Sequence, residues 1–184
     1  MKSINKIAKV VTKILEIVHW VATVLMAAAA VCSAVAPQLL GYFVGIDTTE
    51  NMAELSTYGF EITAAFSDGK IDMKAFLVFA IGAVIILALM AMVFRNLYLI
   101  IKKSEGTTPF QKDNVRMLRE IGIFTIAIPV IGFVMSVIAR LAIGYEVAEI
   151  SNSMDGFIMG IIVLCLTQFF AHGVELENDV DGLL

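Results

Sequence analysis

Ala75 to Phe94, AFLVFAIGAVIILALMAMVF, runs for 20 residues without one charged side chain. As a helix rising about 1.5 Å per residue it is about 30 Å long, which matches the hydrocarbon thickness of a bilayer. A helix apolar on every face is either buried in a large protein or crosses a membrane. Its length and lack of charge match a crossing, so the stretch reads as a membrane span.

Working outward, three further runs share this character: Ile17 to Ala36, Ile121 to Ala139 and Gly156 to Ala171. The last is short and reaches full length by taking in Ser153 and Met154 or His172 to Val174. The composition agrees, with 59% hydrophobic and 16% charged residues against soluble averages of about half and a quarter. The expected fold is an all-α membrane protein, one four-helix transmembrane domain over residues 1–184, with spans at about 14–36, 75–101, 121–140 and 154–174.

The first run follows Lys2, Lys6, Lys9 and Lys13 and ends in Ala34-Val-Ala36, which imitates a secretory signal and its cleavage site. Pro37 after the cut, the length of the apolar part and the three later spans argue for a retained span. Cys32 and Cys165 define neither a disulfide framework nor a zinc site, and are expected to pack as small apolar residues.

Topology follows from Lys and Arg. The N-terminal segment holds four, Arg95 to Glu120 holds six, and only Lys70, Lys74 and Arg140 lie elsewhere. Both termini and the central segment are therefore expected on the cytoplasmic side. The outer segments are acidic, through Asp47, Glu50, Glu54, Glu61, Asp68 and Asp72, then Glu146, Glu149 and Asp155.

Residues 37–74 are too long for a simple turn. Alternation over Phe60 to Phe66 followed by Asp68-Gly69 predicts a small hairpin, while Met52 to Tyr58 reads alternatively as a short surface helix. On the inner side, Thr108-Pro-Phe-Gln111 has the form of a capping box with Pro109 at the first helical position. It predicts an amphipathic helix over 108–120, with Phe110, Asn114, Leu118, Ile121 and Gly122 on one stripe and Lys112, Arg116, Arg119 and Glu120 toward the other. Such a basic face suits anionic headgroups of the lipid bilayer.

Polar groups inside spans are costly and are functional hypotheses by default. Glu16 and His19 share a face at i, i+3 near the inner end of span one, and Glu16 is expected to meet Lys13 or Arg95. Gln168 is expected to make an interhelical hydrogen bond. His19 with His172 gives an incomplete metal set. Pro129 predicts a kink in span three, where the freed Thr125 carbonyl needs a partner such as the Thr125 hydroxyl. Small residues of span one (Ala27 to Ala30, Ser33, Ala34) and of span four (Gly156, Gly160) are expected to meet each other or a second copy, the latter giving a homodimer.

No GxSxG, HExxH or phosphate loop occurs, so no catalytic residue and no cofactor is assigned and the chain is expected not to be an enzyme. The tail alternates Val174, Leu176 and Val180 with Glu175, Glu177, Asp179 and Asp181. It either folds back on Lys112, Arg116 and Arg119 or docks as a strand on a cytoplasmic partner. Its half calcium loop lacks the closing bidentate Glu.

Gly106-Thr-Thr-Pro-Phe-Gln leading into Asn114-Val-Arg-Met-Leu-Arg-Glu-Ile-Gly122, with Phe170-Ala-His-Gly173, Leu176 and Glu177-Asn-Asp-Val-Asp181, resembles a family of small bacterial four-span membrane proteins known only as a domain of unknown function. Members of that family are typically encoded beside a Cro/CI-type helix-turn-helix regulator. The resemblance implies a regulatory or sensory partner of that regulator, with Phe110, Lys112, Arg116, Arg119, Glu175, Glu177, Asp179 and Asp181 as contact residues. Direct nucleic-acid binding is not expected at a net charge of −4. The alternative is a small transporter, or an immunity protein against membrane-active peptides that uses Asp47, Glu50, Glu54 and Gln168.

Overall fold

The computed structural model describes residues 2–35, 52–67, 70–144 and 155–181. Four long helices, α1 (Lys2–Val35), α2 (Met73–Lys103), α3 (Lys112–Ala142) and α4 (Asp155–Asp181), are joined by a sheet of β1 (Met52–Thr57), β2 (Phe60–Ser67) and β3 (Lys70–Ile71) between α1 and α2. All four helices are long and apolar enough to cross a membrane, and the chain is a multi-pass membrane protein. Asp47, Glu50, Asp68, Glu146 and Glu149 lie outside the described residues.

The helices overrun the expected spans. α1 takes in the lysine-bearing segment from Lys2. The inner amphipathic helix and span three are one helix beginning at Lys112. The tail continues α4 to Asp181 instead of running extended. Alternation over a few residues is a weak strand signal beside a helix already nucleated, which adds one hydrogen bond per residue.

The described chain forms two compact units. The first holds α1 up to His19, α2 from Leu89, α3 up to Ala127 and all of α4. In it α3 and α4 cross where both lack side chains. A Cβ on Gly160 would lie 3.0 Å from the Gly122 carbonyl oxygen and 3.1 Å from the Ile126 nitrogen. Gly160 therefore serves internal packing against α3.

The second unit holds the rest of α1, the sheet, α2 up to Ala88 and α3 from Ile128. Ala29 and Ala30 of α1 pack on Phe76 and Ala80 of α2. The sheet is an antiparallel meander in the order β1-β2-β3. Thr57 pairs with Phe60 across Tyr58 and Gly59, both at positive φ (46° and 80°), the two-residue turn whose twist suits a hairpin. Partial burial pushes the Tyr58 phenol above its ordinary value. Met52 to Thr57 is thus a strand and not the alternative surface helix, because pairing with β2 satisfies its backbone. The strands β2 and β3 flank residues 68–69, the expected Asp-Gly turn, which lie outside the described residues.

Phe60 fastens the sheet to the helices. Its side chain is 0% exposed and stacks on Phe79 at 5.6 Å between ring centroids. A Cβ on Gly82 would stand 2.6 Å from Phe60 Cε1, and one on Gly132 would stand 3.5 Å from Phe60 Cβ. Glycines on α2 and α3 therefore make the seat into which the ring fits.

Pro129 lies inside an unbroken α3. The Thr125 hydroxyl does not serve the carbonyl that the proline frees; it donates to the Ile121 carbonyl at 2.8 Å. Cys32 and Cys165 are exposed and not packed inward. A hydrocarbon surround tolerates a thiol much as a protein core does.

Candidate functional site

The resembling stretches converge where α2 ends, α3 begins and α4 finishes, all within the first unit. At the end of α2, Ser104 Oγ donates to the Ile100 carbonyl and Thr107 Oγ1 to that of Lys103, each at 2.8 Å. Gly106 takes φ 84°, the left-handed conformation that ends helices. The Thr107 hydroxyl satisfies a carbonyl that the helix terminus leaves open, whereas the Ile100 carbonyl also accepts from the Ser104 N–H at 3.0 Å.

The capping box expected at Thr108 does not form. The Phe110 N–H donates to Thr108 Oγ1 at 3.1 Å, but the first helical bond runs from the Val115 N–H to the Gln111 carbonyl at 3.1 Å, so Gln111 is the N-cap. Its side chain reaches Thr107 Oγ1 at 2.9 Å. Pro109 stands outside the helix, where its carbonyl accepts from Asn114 Nδ2 at 3.0 Å. Asn114 is 1% exposed and also donates to Ser104 Oγ at 3.2 Å, while its Oδ1 has no partner among the described residues. A short turn bonded at both ends has displaced the first turn of the predicted helix.

Phe110 turns toward α4. Its ring lies 5.5 Å from that of Phe170 and covers Gly173, where any Cβ would overlap it. Beside it the Thr108 hydroxyl donates to Glu177 Oε2 at 3.1 Å. The tail thus meets the connection through Glu177 and Thr108, not through Lys112, Arg116 and Arg119.

The charges sort into tied and open. Lys9 reaches Glu105 at 2.7 Å, Lys103 reaches Asp113 at 2.5 Å and Arg116 approaches Glu120 at 3.7 Å. The buried Asn96 donates to Glu120 Oε2 at 2.9 Å. Lys112 and Arg119 are exposed with no ion pair among the described residues. Glu175 pairs with His172 at 2.9 Å, Asp179 is exposed, and Asp181 ends α4.

Of the polar residues expected within spans, Glu16 is buried and meets Lys13 at 2.9 Å, and the Lys13 ammonium lies 5.0 Å above the Tyr98 ring. His19 is buried, with Nδ1 2.7 Å from the Leu15 carbonyl and its ring 5.0 Å from that of Phe94. A carbonyl only accepts, so Nδ1 carries the proton. His172 faces Glu175 on its own helix, and no three metal-capable side chains converge among the described residues. Gln168 is exposed and makes no hydrogen bond to another described residue, contrary to the expected interhelical bond.

Sequence reasoning missed Asn96, Ser104 and Thr107 as anchors, and missed why Gly173 has no side chain. Asn96 had a signal: a carboxamide beside Arg95, at the end of an oily run.

An apolar cavity of about 500 Å³ lies in the second unit, lined by Leu25, Met26, Cys32, Leu55, Phe76 and Phe79 among others. Apart from the Cys32 thiol it presents no polar side chain. Comparison with known proteins returns no matching family model, no matching curated protein and no matching solved structure.

Proposed function

We propose that this chain is a non-enzymatic regulatory or sensory protein of the bacterial cytoplasmic membrane, with both termini inside. It holds a cytoplasmic helix-turn-helix regulator through the open basic face of α3. The observation that carries this reading is the contrast at the junction. Phe110 and Glu177 are engaged within the chain, while Lys112 and Arg119 are exposed without an ion pair among the described residues. A fixed platform that presents unneutralised cations is suited to an acidic protein surface. The ten-to-three division of Lys and Arg supports the orientation, and the resemblance of the same stretches supports the kind of partner. A shift of α3 about Pro129 would carry an envelope or lipid signal to that platform.

The transporter alternative gains nothing from the cavity, whose apolar lining offers a polar solute no hydrogen bonds. The test is a photocrosslinking residue in place of Arg116 in native membranes, with mass spectrometry of the adduct. A helix-turn-helix protein is expected. Capture of lipid alone, together with unchanged transcription after gene deletion, refutes the reading.

A further inference from the structure

Gln168 takes no part in the proposed function. Asp155 and Glu175 bound the apolar part of α4, 20 residues or about 30 Å apart. Gln168 lies within this stretch, about 10 Å before Glu175 and about 6 Å before the exposed His172. There it is exposed on the helix surface with no partner among the described residues. A carboxamide left open to lipid is costly.

The residues around it form a seam. Ile158, Ile161, Cys165, Gln168, His172 and Glu175 are all exposed and follow one another at intervals of three and four. That spacing is the stripe along which two helices pack at a shallow crossing angle. Gly160 and Thr167 are buried on another face of α4, and Gly160 meets α3 there. The seam is therefore not used by the helix that α4 already packs against.

We propose that this seam is the self-association surface of the protein, with α4 of a second copy as its occupant and a reciprocal Gln168 to Gln168 hydrogen-bonded pair at its centre. The choice of a second copy comes from the chemistry. A carboxamide is both donor and acceptor, so two of them across a two-fold axis satisfy each other with two bonds. Two copies inserted in one membrane share one topology, so their α4 helices run parallel and identical positions face each other. The same register sets Cys165 opposite Cys165, one turn from the pair, which gives the surface a native reporter.

The test uses the full chain in native membranes, with Cys32→Ala so that Cys165 is the sole thiol. Copper phenanthroline and dissolved oxygen take two electrons and two protons from the paired thiols and leave a disulfide. A product of twice the chain mass is expected. Gln168→Leu should lower the self-association constant about twenty-five-fold, at about fivefold for each bond. Gln168→Asn, which keeps the amide, should retain most of it. The Cys165→Ala protein, which keeps Cys32, measures chance collision. No Cys165 product, an equal product through Cys32, an adduct of another mass, or a yield unchanged by Gln168→Leu would each overturn the proposal.

Discussion

Replacing Gly160 by alanine tests the crossing of α3 and α4. In a helix interior, alanine in place of glycine gains about 1 kcal/mol. Against this, the added methyl meets the Gly122 carbonyl oxygen at 3.0 Å and the Ile126 nitrogen at 3.1 Å, and overlaps Ile126 Cγ1. Ile126 can rotate away, but the two backbone atoms move only if the helices part. Overpacking costs about 1–3 kcal/mol, and contact with two backbone atoms puts this case in the upper part of that range, about 2–3 kcal/mol, so a net loss of about 1–2 kcal/mol is expected. Gly122→Ala is the internal control. Its closest contacts are two Leu164 side-chain atoms at 2.7 Å, with the nearest backbone atom at 3.3 Å. Repacking of Leu164 should hold that loss below about 1 kcal/mol. Unfolding in mixed detergent micelles, followed by circular dichroism, gives both values. Adding Ile126→Ala to Gly160→Ala should not restore stability, since the backbone contacts persist. A Gly160→Ala protein as stable as the parent, or less perturbed than Gly122→Ala, refutes the crossing.

Phe110→Ala empties the slot over Gly173. A fully buried phenylalanine loses about 3–5 kcal/mol on truncation; with Phe110 40% exposed, about 2 kcal/mol is expected, read as about thirtyfold faster proteolysis of residues 104–111 in inverted vesicles. Gly59→Ala forces a Cβ into φ 80° and should cost the hairpin about 1–2 kcal/mol, seen as a lower midpoint of thermal unfolding. Lys9→Gln removes a pair whose side chains are 30% and 43% exposed, and should leave stability within about 0.5 kcal/mol of the parent by the same measurement.

The spans were legible because a 20-residue uncharged run has the length and composition of a membrane crossing. Their ends were not, because a helix does not stop where hydrocarbon stops. Lys2 to Lys13 and Glu175 to Asp181 carry charge in water at no cost to the helical backbone, so hydropathy marked the bilayer and not the helix. The junction shows another limit. Thr108 and Gln111 are correctly spaced for a capping box, but three-dimensional competition decided the outcome. Gln111 turns to Thr107, and Thr108 is drawn to Glu177, a partner that a pattern confined to neighbouring residues does not contain. Phe110 and Gly173 lie 63 positions apart, and only folding shows that one needs the other to be glycine. Conversely, the Glu16 and Lys13 pair was readable because it lies within one helical turn.

The seat of Phe60 has a consequence for the order of assembly. Its ring needs Phe79 and Gly82, made shortly afterwards, but also Gly132 and Met135 on α3. Met135 is synthesised 75 residues after Phe60, a delay of about 4–15 s at cellular rates of elongation. Throughout that interval the hairpin has an apolar ring and no complete place to put it. Closure of the sheet over the helices is therefore a late event in biogenesis, and a chain truncated before Gly132 should leave this ring accessible to quality-control proteases.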